Sequence, residues 1–276
     1  MFSIRILLPS SRSATFQNFF RNASKRAPFV EKTRIASKEV KSPPKLPNFQ
    51  AKRSNMAVTQ TFDYLLVLDF EATCQENSLG PLQPIQEIIE FPVVQLCTKT
   101  WTEVRRFHEY VQPTVNPLIT PFCTSLTGII QEMVDNKPVL CQTLQHFDAW
   151  IKSDERLHDQ NFAFVSCGDW DLKVALPKES HYKQIEIPDY FNRWINVKRS
   201  YAQHTGQFIR GMKQLLSVYS LQLIGRHHSG IDDVTNICEI VKCLGKDGHN
   251  YRITGSTDSN SPLNAPRTFK DTKNLV

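Results

Sequence analysis

Several things are scarce or missing in this 276-residue chain. No apolar run approaches the roughly 18 residues that a membrane-spanning helix needs, so no membrane partner is expected. The seven cysteines form no CxxC pair and show no metal-ligand spacing, which argues against a zinc site and against a disulfide framework. The nearest pair, Cys238 and Cys243, suits one face of a helix, and a reduced intracellular compartment is the natural reading. Acidic residues are absent from the first thirty positions, where Arg and Ser mix with bulky apolar side chains. That is the composition of a mitochondrial transit peptide; a basic disordered arm is the competing reading. Met56 offers an alternative start that would leave the protein in the cytoplasm or nucleus.

Charge is spread unevenly. Residues 1–59 carry twelve Lys or Arg against Glu31 and Glu39, a balance of +10 that leaves −4 for the rest of a chain whose net charge is +6. The remainder is mildly acidic, so any polyanion it binds must meet a local patch. An apolar fraction of 40% suffices for one substantial core. The chain divides into an arm over 1–59, a folded domain over 60–256 and a polar, disordered tail over 257–276, with a Pro- and Lys-rich linker from Ala36 to Met56.

What is present centres on YLLVLDFEATC, residues 64–74. A short Leu/Val run bounded by polar residues predicts a buried strand of an α/β sheet. Asp69 and Glu71 are two apart at its end and so project to one face. Adjacent carboxylates repel and are costly to desolvate, and a divalent cation with a taste for hard oxygen ligands is the usual remedy. The apolar run IIEFPVVQLC and the alternating TEVRRFHEYVQP predict two further strands, giving the sheet an antiparallel start. NPLITPFCTSLTGI predicts a short helix, and TLQHFDAWIKSD an amphipathic one.

The strand pattern recurs at FAFVSC, residues 162–167, which feeds GDWDLK. Of Asp169 and Asp171, the latter is favoured as a ligand, because a strand-to-helix junction aims it across the end of the sheet. Trp170 reads as core or wall rather than as a stacking platform. Residues 186–224 predict two or three helices, YFNRWINVKRSYAQ among them, with Lys198, Arg199, Arg210 and Lys213 making the most basic part of the domain. Finally, Ile231, Val234, Ile237, Cys238 and Val241 form a helical stripe. Asp233 lies roughly 100° from its centre and Asp232 roughly 155° away, so Asp233 can look toward the sheet. His227 and His228 sit in the loop before this helix.

Asp69, Glu71, Asp171 and Asp233 with one imidazole are the parts for phosphodiester hydrolysis by two cations about 3.5–4 Å apart, with histidine as general base. DFEAT, DWDL and HSGIDD, in this order, resemble the three motifs of the DEDDh class of 3′→5′ exonucleases. The wording is nearest the ERI-type branch, the enhanced-RNAi and histone-mRNA exonuclease relatives, and within it the third, prion-interactor-type subgroup. The resemblance covers about residues 62–254. It implies an RNase H-like α/β fold with a five-stranded mixed sheet flanked by helices, and release of nucleoside 5′-monophosphates from RNA 3′ ends. It also implies two Mg²⁺ ions, for which Mn²⁺ can substitute, held by Asp69, Glu71, Asp171 and Asp233. Glu71, Ala72 and His228 would meet the terminal nucleotide, Ala72 through its backbone. The family's five-residue spacing pairs His228 with Asp233 as base and ligand; His227 with Asp232 has the same spacing but the wrong helical face. RNA 3′ ends, single-stranded or overhanging, and ribonucleoprotein partners are the implied company. A DNA exonuclease and a non-catalytic RNA-end-binding module are the alternatives.

Overall fold

The computed structural model describes residues 58–159, 161–258 and 261; the expected arm, linker, alternative start and most of the tail lie outside them. The chain runs β1 (Tyr64–Leu68), β2 (Glu71–Ala72), β3 (Ile88–Cys97), β4 (Thr102–Tyr110), α1 (Pro121–Thr127), α2 (Gln131–Val134) and α3 (Leu140–Lys152). It continues through β5 (Phe162–Ser166), a π-helical turn (Asp171–Ala175), α4 (Leu176–Lys183), β6 (Arg193–Asn196), α5 (Val197–Thr205), α6 (Met212–Val218), α7 (Gly230–Lys246) and β7 (Gly255–Ser256). No helix among the described residues is long and apolar enough to cross a membrane.

The sheet is mixed, in the order β4-β3-β1-β5-β6-β7, with β2 also on β3. β1 pairs antiparallel with β3 and parallel with β5, and so lies at the sheet's centre. Its Leu/Val run is apolar throughout because both faces are covered. Leu65 and Val67 join a core with Val234, Ile237 and Val241 of α7, while Leu66 and Leu68 join the opposite core with Phe91, Phe147 and Phe164. The alternation of a pleated strand divides its side chains between these two layers.

Two expectations are corrected here. The sheet has seven strands, not five. The two extra ones are two residues long: β2 carries the line of β1 onward along β3 past an irregular register between Glu71 and Ala72, and β7 closes the far edge on β6. Segments that short leave no periodicity in a sequence. Secondly, YFNRWINVKRSYAQ is not one helix. Asp189–Asn192 form a 3₁₀ turn, Arg193–Asn196 form β6 parallel to β5, and the helix starts only at Val197. Trp194 and Ile195 are both fully buried but belong to opposite cores, which a strand achieves and a helix turning about 100° per residue does not.

Candidate active site

Parity along β1 continues past its end: after Leu65 and Val67 on the α7 face come Asp69 and Glu71. A carboxylate oxygen from each of Asp69, Glu71 and Asp233 lies within 4.8 Å of the others. Asp233 stands in the first turn of α7 and is 3% exposed. The helical-wheel argument therefore holds. Asp233 looks inward, while the Asp232 carboxylate turns back and accepts the Arg226 N–H at 2.8 Å, closing the loop onto the helix start.

Asp171, 5% exposed at the head of the π-helical turn, reaches the same end of the sheet and accepts the Phe70 N–H at 2.9 Å. It lies beside Asp69 rather than inside the three-carboxylate cluster. Asp169, its rejected rival, is engaged elsewhere: it accepts from Trp194 Nε1 (2.9 Å), Asn196 Nδ2 (3.1 Å) and Arg199 Nη2 (2.6 Å). Arg199, expected in a basic patch, thus braces this loop. Trp170 is not core; at 38% exposed it stands beside Asp171 with its ring available to solvent. Ala72 is buried in β2, and its carbonyl faces the Cys123 thiol at 3.6 Å.

The histidines divide their work unexpectedly. His227 Nδ1 meets the Asp233 carboxylate at 3.0 Å, whereas His228 gives that carboxylate only its backbone N–H, at 2.8 Å. The two rings stack with centroids 3.9 Å apart. His228 holds a left-handed backbone (φ +67°), unusual for a residue other than glycine. Its ring makes no hydrogen bond among the described residues; it stacks on His227, and a ring nitrogen lies within 4.8 Å of His227 and Asp233 ligand atoms. The sequence offered no signal for the His227 contact, which depends on the turn of the loop.

The electrostatics suit a cation. Burial, then Asp171 and the other neighbouring carboxylates, push Asp69 well above the ordinary aspartate range. Burial and Glu90 push Glu71 to about 9, and burial lifts Asp171 to about 6. Asp233 is raised as well, chiefly by burial. None of Asp69, Glu71 and Asp171 has an ion-pair partner among the described residues. Buried, mutually repelling, hard oxygen donors fit a divalent metal ion.

Raised carboxyl pKa values mean that the folded, metal-free protein keeps protons the unfolded chain releases. That contribution to stability is whole below about pH 4 and is lost as pH climbs toward about 9. Thermal melts in EDTA should therefore decline from pH 5.5 to 8.5. A divalent cation binds the deprotonated form, so its stabilisation should grow over the same interval, reaching about 5–10 °C at a hundredfold excess over its Kd. A melt insensitive to both pH and cation would remove the metal site.

With fold and site described, the class is clear. Residues 66–241 match the family described as Exonuclease (RNase_T), and the chain belongs to that family. Its members of the DEDDh kind are generally dependent on divalent metal ions. Among curated proteins it is similar to ERI1 exoribonuclease 3 of Mus musculus, 48% identical over 198 residues, covering 71% of this chain and 57% of the relative. It also resembles 3′-5′ exoribonuclease 1 of Homo sapiens, 33% identical over 225 residues, covering 79% and 62%. The chain thus spans somewhat under two thirds of these relatives' length.

A solved structure of the nuclease domain of 3′hExo, a DEDDh family member, bound to rAMP superposes with a TM-score of 0.66 at 32% identity, covering 72% of this chain and all of that one. A 3′-exonuclease solved in a study of histone mRNA stem-loop recognition gives 0.67 at 30%, covering 76% and 72%. The RNase H-like fold and the DEDDh resemblance read from the motifs are borne out.

Proposed function

We propose that this protein is a 3′→5′ exoribonuclease that releases nucleoside 5′-monophosphates from RNA 3′ ends. The observation that carries the reading is the meeting of the Asp69, Glu71 and Asp233 carboxylates, with Asp171 alongside, at one end of the sheet, where burial and mutual repulsion disfavour their ionisation. Asp69, Glu71, Asp171 and Asp233 would hold two Mg²⁺ ions, or Mn²⁺ in their place, which would lower the pKa of a bound water and offset charge on the leaving 3′ oxygen.

The chain's own residues supply the rest. His228, its ring free of hydrogen bonds among the described residues, takes a proton from the attacking water onto a ring nitrogen. The water oxygen bonds to phosphorus as the P–O3′ bond breaks, and the leaving O3′ takes a proton from solvent, giving a nucleoside 5′-monophosphate and a shortened RNA with a 3′-hydroxyl. Glu71 and Ala72 line the terminal nucleotide's position, and the exposed face of Trp170 offers a base a stacking surface. Lys213 and Arg226 place positive charge about His228, and Lys198 does so near Asp171, where a phosphate backbone would pass. The names of the relatives favour RNA over DNA. Within the cell, the reading is mitochondrial if translation starts at Met1, and cytoplasmic or nuclear if it starts at Met56.

The test uses a 3′-overhang RNA labelled at its 5′ end, beside the matching DNA, with Mg²⁺ and with EDTA. A ladder shortening from the 3′ end, needing metal and faster on RNA, is expected. Equal trimming of DNA would overturn the preference for RNA. Metal-supplied, folded protein that binds RNA and leaves it whole would establish an end-binding module instead.

A further inference from the structure

Strand β3 carries a buried acid whose purpose the site described above does not explain. Glu90 sits inside the apolar run IIEFPVV, is 1% exposed, and pairs with Glu71 across the β2–β3 ladder. A buried carboxylate is tolerated only when its oxygens are satisfied. Here they are. Oε2 accepts the Gly230 N–H at 2.8 Å; Oε1 accepts the Ile231 N–H at 3.2 Å and lies 2.8 Å from His108 Nε2 on β4.

Those two amides open α7, and the helix has no cap of its own, since the Ser229 side chain makes no capping hydrogen bond. The positive end of α7 is therefore answered from the sheet, by a side chain far away in sequence. Gly230 completes the joint. A Cβ at that position would come within 2.9 Å of Glu90 Oε2 and 3.0 Å of both the Asp69 backbone oxygen and Pro92 Cγ. The first turn of α7 is thus seated against β3 and against the backbone of the first site carboxylate. Asp233 lies in that same turn, and its carboxylate accepts the N–H of His228. A small tilt of this turn would carry Asp233 and both histidines away from Asp69 and Glu71 together.

We propose that Glu90 is a positioning residue for the hydrolysis: it holds the first turn of α7, and through it Asp233 and His228, in place against Asp69 and Glu71. This rests on the exonuclease reading above. Glu90 touches neither substrate nor water in this role. Its charge alone works against the site, being, after burial, the largest cause of Glu71's reluctance to ionise. What the residue contributes is geometry.

The test is Glu90→Gln in the full chain. The change keeps volume and one acceptor but turns an amide NH₂ toward the helix start or His108. Three quantities are read: hydrogen exchange along α7, kcat and KM on RNA, and Tm. The amides of Gly230 and Ile231 should exchange at least about tenfold faster while the later turns of α7 stay protected. kcat should fall about 10–100-fold, the range typical of residues that orient ligands, with KM within about threefold. Unchanged exchange, or unchanged kcat, overturns the proposal; so does a kcat loss that comes with loss of protection across the whole domain, which would mark a merely structural acid. If the wild-type protein itself leaves RNA intact, the exonuclease reading falls and the positioning role with it. Exchange at Gly230 and Ile231 then still decides whether Glu90 anchors the helix.

Discussion

Asp69→Asn should slow RNA shortening by about 10³-fold or more, because a metal's charge stabilisation is worth several kcal/mol and each 1.4 kcal/mol is a factor of ten. Asp69 has the other acids as neighbours: Asp171, Glu71, Asp233 and Glu90 all push its pKa upward. The amide keeps the shape of the side chain while removing the charge, so the loss can be assigned to metal holding rather than to a cavity. A second readout runs in the opposite direction. Without metal, the substitution relieves repulsion, and the variant should melt higher than wild type in EDTA at pH 8. Measured together, lower activity and higher metal-free Tm are the signature of a ligand. A variant that keeps its activity would dissolve the proposed site.

His228→Ala is expected to cost about 10²–10⁴ in kcat, the usual contribution of a general base, with little change in KM. The pH profile sharpens this. Burial and the neighbouring His227 hold the His228 ring below its ordinary pKa of about 6.5, so its neutral, proton-accepting form prevails at pH 7. The wild-type rate should fall as pH drops below that range, and the variant should lose this acidic limb. His227→Ala is the necessary companion, because His227 is the ring that touches Asp233. Loss of the limb in His227→Ala, with its retention in His228→Ala, would transfer the base assignment to His227.

Much of this architecture is legible in the sequence because it is local. IIEFPVVQLC marks the residues of β3, and the stripe from Ile231 to Val241 marks α7 and orients Asp233. The motifs DFEAT, DWDL and HSGIDD name the acids that the structure gathers at one end of the sheet. What escaped depends on distant partners. RWIN forms a strand only because β5 lies beside it, and its apolar residues fit a helix as well when read alone. Glu90 is hidden by the hydrophobic run around it, and its meaning comes from amides on a helix much later in the chain. Trp170 is apolar by type yet exposed, since burial is decided by what packs above a residue and not by its composition.

If the chain is an exonuclease, as proposed, the order of its elements also bears on when it could first act on RNA. Asp69 and Glu71 emerge early in synthesis, but Asp171 arrives only with β5, and Asp233 only with α7 near the end of the domain. A nascent chain that ends before α7, tethered to a ribosome and close to the RNA that encodes it, would on the proposed reading carry an incomplete set of ligands and no base. On that reading the order of the elements would be a timer: competence to cut would come only with the last helix, after the message has been read through the domain.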